Sequence, residues 1–211
     1  MYTSISIKEA LEKINNDSDG WFLPKIQRKY VWGSRYEGEK YICKLFDSII
    51  REYPIGGIIL WKTNEKIPYR NFLTDYSENI TPDVAPQSKW GSVVRSFVYD
   101  GQQRLQTLYS CLKFKFNNKV LTYNLLYDLE NPDEDQETGF SFQEISNPLE
   151  WNYLCLNSII DKPHSEKSDF KSNFRLKYSH ENNYNERLVE NNLDKLWDIF
   201  VGYNTKSISY F

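Results

Sequence analysis

Apolar positions recur along this chain at two spacings, and each change of spacing marks an element. Ala10, Leu11 and Ile14 follow Ser6-Ile7-Lys8-Glu9, a capping box in which serine and glutamate each satisfy an orphan N–H of the first turn. The spacing predicts a helix ending near Asn15-Asn16. Residues 21–28 read as extended; Pro24 disfavours helix at Leu23 and removes a donor, which predicts an edge strand or a bound loop. A second capping box, Ser34-Arg35-Tyr36-Glu37, opens a longer helix whose buried stripe is Tyr41, Ile42, Leu45, Phe46 and Ile49, stopped by Tyr53-Pro54. The run from Ile55 to Trp61 reads as a buried strand, with Gly56 and Gly57 allowing close backbone approach.

Residues 62–92 are polar and punctuated by Pro68, Pro82 and Pro86. They form a long insertion with room for a short helix near 70–76, either a lid or binding loop or a plain decorated connection. Residues 93–99 are the second clear strand, running straight into Asp100-Gly101. A helix follows from about Gln103 to Lys113, with Leu105, Leu108, Cys111 and Leu112 on one face. Residues 123–127 and 140–142 suggest further strands around an acidic turn at 131–138. The rest reads as mostly helical, at 148–160 and at 185–200 with Leu188, Leu193, Leu196, Trp197 and Phe200 aligned. Residues 207–211 begin an extended run that stops at the terminus, as a truncated chain does. The fold class is α+β. Residues 1–115 form a core with the insertion at 62–92, in which the 93–99 strand is central and the 103–113 helix packs on it; residues 116–211 form a continuation of strand and helices.

Composition narrows the class. A chain of 211 residues with 40% hydrophobic and 16% aromatic residues can bury a sizeable core, which excludes disorder as the default. Cys43, Cys111 and Cys155 are widely spaced, as free thiols in a reducing compartment are, which points to the cytoplasm. His164 and His180 are isolated, so no zinc spacing is present. There is no signal-peptide pattern and no apolar run near membrane-spanning length, so a membrane partner is not expected. Residues 1–115 carry 17 Lys+Arg against 13 Asp+Glu, and residues 116–211 carry 9 against 16. The N-terminal half can therefore meet an anion, although a bias of this size also suits a solvated face.

The chemistry concentrates at Asp100-Gly101-Gln102-Gln103-Arg104. A strand that turns straight into a helix presents free N–H groups and the positive end of the helix dipole, a setting that favours phosphate. Gly101 permits the tight turn. Asp100 is placed to hold Mg²⁺ or a ribose hydroxyl, or simply to cap the helix. Gln102 and Gln103 are neutral amides able to orient a water, the task of glutamine in GTP hydrolysis. Arg104 can pair bidentately with phosphate oxygens.

Asp100 to Leu108 resembles the signature of the DGQQR-motif family, whose best-known members are GmrSD-type modification-dependent restriction systems. Two further blocks agree: Leu23-Pro24-Lys25-Ile26-Gln27-Arg28-Lys29-Tyr30-Val31-Trp32 resembles the family's P-x-x-QR-x-YVW block, and Phe46-Asp47-Ser48-Ile49 followed by Tyr53-Pro54-Ile55-Gly56-Gly57-Ile58-Ile59-Leu60-Trp61 resembles its L-x-x-SI and PIG-x-I-x-LW blocks. Order and spacing match over residues 5–113.

The resemblance implies a ParB/sulfiredoxin-like α+β core with a mixed sheet and flanking helices, then a mostly helical part. It implies binding and hydrolysis of a nucleoside triphosphate of unspecified base, with Mg²⁺, and a role in restricting phage or modified DNA. Asp100, Gln102, Gln103 and Arg104 would be catalytic, with Asp100 as the Mg²⁺ ligand, and Gln27, Arg28 and Gly101 would meet the phosphates. Tyr30, Val31 and Trp32 would line a pocket for DNA or its modification, with core packing as the alternative for Tyr30 and Trp32. Pro54, Gly56 and Gly57 read as structural. DNA would be a weak, salt-sensitive partner. Relatives usually continue into an HNH-type nuclease domain; His164 and His180 lack that spacing, so the nuclease would lie elsewhere. Two other readings stay open: a non-catalytic ParB-like DNA- or nucleotide-binding module, and a direct nuclease, which the scarcity of histidines opposes.

Overall fold

The capping box at Ser6 forms as its sequence requires: the Glu9 N–H donates to Ser6 Oγ at 3.2 Å and the Ser6 N–H donates to the Glu9 carboxylate at 2.7 Å. It opens α1 (Ile7–Lys13), which follows the short strand β1 (Thr3–Ile5). The computed structural model describes residues 3–33, 37–77, 80, 83–90, 93–132, 135–202 and 208–210. Ser34, Arg35 and Tyr36 of the second capping box, Pro82, Asp133 and Glu134 of the acidic turn, and Ser207 and Phe211 lie outside the described residues.

Next come β2 (Trp21–Pro24), α2 (Gly38–Ile50), β3 (Ile59–Thr63), β4 (Tyr69–Arg70) and β5 (Arg95–Asp100). They build a mixed four-stranded sheet in the order β3-β5-β2-β4, with β2 parallel to β5 and the other pairs antiparallel. The 93–99 strand is thus an interior one, displaced to start at Arg95, with Val93 and Val94 left exposed. Two expectations change. β2 is interior rather than an edge: Pro24 is its last residue, so its missing donor falls where the ladder ends. The strand expected from Ile55 to Trp61 begins only at Ile59 and is largely exposed, because β3 is the sheet edge; only Ile58 before it is buried. On α2, Ile42, Phe46 and Ile49 are buried as expected, but Tyr41 is 55% exposed.

No helix forms at 70–76. Instead β4 is followed by a loop whose backbone is clasped by two amides: Asn15 bonds the N–H and C=O of Phe72, and Gln106 bonds those of Leu73. The inserted segment covers the outer face of the sheet, where Ile67, Ala85 and Trp90 pack on Phe22, Tyr69 and Phe97.

After α3 (Gln102–Lys113), the strands β6 (Lys119–Asn124), β7 (Phe140–Glu144) and β8 (Tyr153–Cys155) make a second sheet in the order β7-β6-β8. The helix expected at 148–160 is therefore a strand and a single 3₁₀ turn: Tyr153 to Cys155 complete a ladder that β6 leaves open on one side. α4 (Lys167–Tyr178) and α5 (Glu186–Leu196) follow, the latter continued by one π-helical turn to Val201. Last, β9 (Ile208–Tyr210) pairs antiparallel with β1. One hydrophobic cluster runs from Ile7 to Ile208, so residues from both ends of the chain share it. Phe46 of α2 sits 5.6 Å from Phe140 and 5.9 Å from Phe200. Among the described residues, no helix is long and apolar enough to cross a membrane.

Candidate functional site

The parallel pairing of β5 with β2 decides where the candidate residues meet. It delivers Asp100 at the C-terminal end of β5, beside the loop that leaves β2. Gly101 then turns the chain at φ 90°, a left-handed conformation that glycine adopts without strain. A Cβ here would lie 2.2 Å from Ile58 Cδ1, at the end of a side chain, so it is the backbone conformation that favours glycine. α3 starts at the next residue. Its N-terminus borders a cavity of about 160 Å³, lined by Gln27, Arg28, Trp32 and Tyr99 with the Asp100–Arg104 turn. The structure thus brings together nearly every residue that the sequence singled out; Tyr30 and Val31 are not among the cavity-lining residues.

The hydrogen bonds separate the roles. Gln103 donates from Nε2 to the Lys29 carbonyl at 3.1 Å and accepts at Oε1 from the Val31 N–H at 2.9 Å. Those partners fix the amide orientation and occupy both of its ends. Gln102 donates from Nε2 to the Arg28 carbonyl at 2.6 Å, while its buried Oε1 has no hydrogen-bond partner among the described residues. Arg104 donates to the Ile55 carbonyl and, at 2.8 Å, to the Gly57 carbonyl, and stands 3.6 Å from the Asp100 carboxylate. Its guanidinium fills the space beside Gly56, which lies at φ 83° and whose Cβ would come within 2.6 Å of Nη1. Arg104 is therefore a clamp on the 55–57 turn with one edge toward Asp100.

The second block is held by the first. Gln27 donates to the Tyr99 carbonyl at 2.9 Å and fixes the loop to the end of β5. Tyr30 is a core residue: it is 8% exposed, its ring meets Tyr76 edge-on at 4.9 Å, and its hydroxyl shares a 2.6 Å hydrogen bond with Thr107. Burial, the largest effect, pushes its phenol well above its ordinary pKa. Val31 is engaged through its backbone. Of the three residues read as a DNA pocket, Trp32 borders the cavity just described and an adjoining one of about 290 Å³ with Tyr41, Lys44, Leu45 and Ser48.

Arg70 and Tyr99 also belong to this neighbourhood, and sequence reasoning missed both. Arg70 sits in the polar insertion with nothing in its spacing to single it out; Tyr99 is the alternating outward residue of β5 and is 65% exposed. His164 and His180 lie on the surface, each beside a carboxylate, Asp198 at 3.6 Å and Glu181 at 3.8 Å. Among the described residues, no group of three or more His, Cys, Asp or Glu is arranged to hold a metal ion.

A family model described as GmrSD restriction endonuclease, N-terminal domain, matches residues 7–210. The match extends through the helical C-terminal part as well as the three sequence blocks. No curated protein matches the chain.

Proposed function

The chain belongs to the family of GmrSD restriction endonuclease N-terminal domains, and on that premise we propose that the turn at residues 100–104 binds the phosphates of a nucleoside triphosphate and hydrolyses it, as the sensing part of a phage-restricting protein. The observation that carries this reading is Gln102. The side chain lines the cavity beside the helix N-terminus and Arg28, and its Oε1 is a buried acceptor without a partner among the described residues. An orphan acceptor costs about 1–3 kcal/mol, and a hydrogen-bond donor such as an attacking water satisfies it.

Size limits what enters. A cavity of about 160 Å³ is well below the roughly 300 Å³ at the lower end of small-molecule sites. It suits the phosphate end alone, with the nucleoside outside against Tyr99 or Trp32. Arg28 and the first amides of α3 neutralise the phosphates, Gln27 fixes the loop, and Gln102 Oε1 orients the water. Asp100 offers one exposed carboxylate, a set that fits Mg²⁺ arriving with its remaining ligands from phosphate and water. When bound, the ion would supply charge neutralisation at the phosphates. Trp32 is the residue to discriminate a DNA modification, the nuclease is a separate domain or subunit, and the setting is the cytoplasm.

The same volume favours a second reading, a static grip on one phosphate of DNA. Phosphate release from each of the four triphosphates with Mg²⁺ separates the two. Hydrolysis is expected for wild type, with kcat reduced about tenfold or more by Gln102→Ala, a larger effect than its loss of affinity through the Arg28 carbonyl, and with binding itself weakened by Arg28→Ala. Absence of release from any triphosphate, together with duplex binding that Arg28→Ala abolishes, would establish the static grip.

A further inference from the structure

Arg70 is the last residue of β4 and is 6% exposed. Its Nη2 donates to the carbonyls of Gln27 at 3.1 Å and Arg28 at 2.6 Å, while its Nε is buried without a partner among the described residues. No carboxylate pairs with it among the described residues. Burial lowers its pKa, yet a guanidinium stays charged throughout the working range. A buried cation without a counter-ion is costly, and interiors seldom retain one unless something offsets it.

The Arg28 carbonyl is the hub of the arrangement. It accepts from Arg70 on one side and from Gln102, also at 2.6 Å, on the other. A strand residue and a helix residue thus fix one peptide unit, the one that carries the cavity's most exposed cation. We propose that Arg70 is a positioning residue of the anion site: it sets the backbone of Gln27 and Arg28 so that their side chains face the cavity, and its unneutralised charge adds to the potential that draws an anion there. The charge is offset when the anion binds. This inference rests on the phosphate-binding reading of the same cavity, and it assigns Arg70 no contact with the ligand.

The test uses the full chain and inorganic triphosphate with Mg²⁺, titrated by calorimetry, so that no base needs to be known. Arg70→Met is expected to weaken binding roughly tenfold, and Arg70→Lys to recover part of that loss by restoring charge without the planar fork. In an Arg28→Ala background, Arg70→Met is expected to cost clearly less than in wild type, because the part that acts through the placement of Arg28 is gone and the effects of charge and of Gln27 remain. A merely structural arginine gives additive losses instead, and additivity or unchanged affinity overturns the proposal. Hydrogen exchange in the ligand-free protein gives the second readout: amides 27–31 are expected to exchange faster in Arg70→Met, with the α5 amides unchanged. If Arg70→Met does not fold, Arg70→Lys carries both measurements. Wild type that fails to bind triphosphate defeats the phosphate-binding reading; unchanged exchange at 27–31 defeats the role of Arg70 whether or not triphosphate binds.

Discussion

Gln102 and Gln103 are chemically identical neighbours with different tasks, because successive helix residues point about 100° apart. Gln103 closes a two-bond clasp on the backbone of Lys29 and Val31, 72 residues earlier in the case of Val31. Gln102 makes one such bond and keeps an acceptor with no partner among the described residues. Substituting Gln103 by Ala removes both bonds that hold that loop, and a loss of about 1–3 kcal/mol is expected. Gln102→Ala removes one bond and one orphan together, so its stability loss is expected to be smaller and its loss of turnover larger. Urea unfolding of the two variants beside their phosphate-release rates checks the assignment; a Gln103→Ala protein as stable as wild type but devoid of turnover would reverse it. The sequence marked both glutamines, but only the path of a remote loop decides which one it engages. Tyr30 shows the same limit: an aromatic next to a basic residue reads equally as pocket or core until Thr107 and Tyr76 are seen around it.

At the scale of elements, apolar periodicity was legible wherever one face of a helix meets the core, as on α2, α3 and α5. It misled at 148–160, where a three-residue strand is too short for alternation to show, and at β3, whose apolar residues lie on an exposed edge. α4 is different again, because none of its residues is buried. Phe170 and Phe174 pack only partly against the core, and ion pairs tie α4 to α5: Lys171 lies 2.7 Å from both Glu190 and Asp194, and Lys167 lies 3.0 Å from Asp194. Burial alone would raise the pKa of Asp194, but the hydrogen bonds from Lys171 and Lys167 outweigh it and hold the carboxyl below its ordinary value. A depressed folded-state pKa gives stability that is present above the unfolded value, about pH 4, and is lost as pH falls through the lower folded one. α4 is therefore expected to lose protection before α5 as pH drops through that window, and also at about 1 M salt, where screening acts within roughly 3 Å. Protection factors from hydrogen exchange, corrected for the intrinsic rate at each pH, measure this; simultaneous loss in α4 and α5 would mean that apolar packing holds α4.

For the whole molecule, the candidate site depends on residues far from it along the chain. Local patterns at 5–113 foretold a sheet, a turn and a packed helix, but long-range pairings leave no local trace, and these close the structure. Ile208 is 2% exposed in the shared core, Tyr210 meets Trp21 edge-on at 5.4 Å, and the Ser209 carbonyl accepts from the Ile58 N–H at 2.7 Å. Ile58 is the residue whose Cδ1 lies against Gly101. β9 thus supports the floor of the 100–104 turn through a single intermediate residue. Removing residues 203–211 strips β1 of its partner and opens the core beside Ile58. A buried isoleucine alone is worth about 2–5 kcal/mol, and each kcal/mol shifts Tm by roughly 2–4 °C in a chain of this size. The 1–202 chain is expected to melt roughly 4–20 °C lower than the 1–211 chain, in one transition, and to bind inorganic triphosphate more weakly because Ile58 is free to move from Gly101. Calorimetric unfolding and titration of the two chains decide it. Equal melting temperatures would show that β9 contributes little to the core. A lower Tm with unchanged affinity would show that Ile58 is held in place without β9, and that the turn is set by the Arg104 clamp alone.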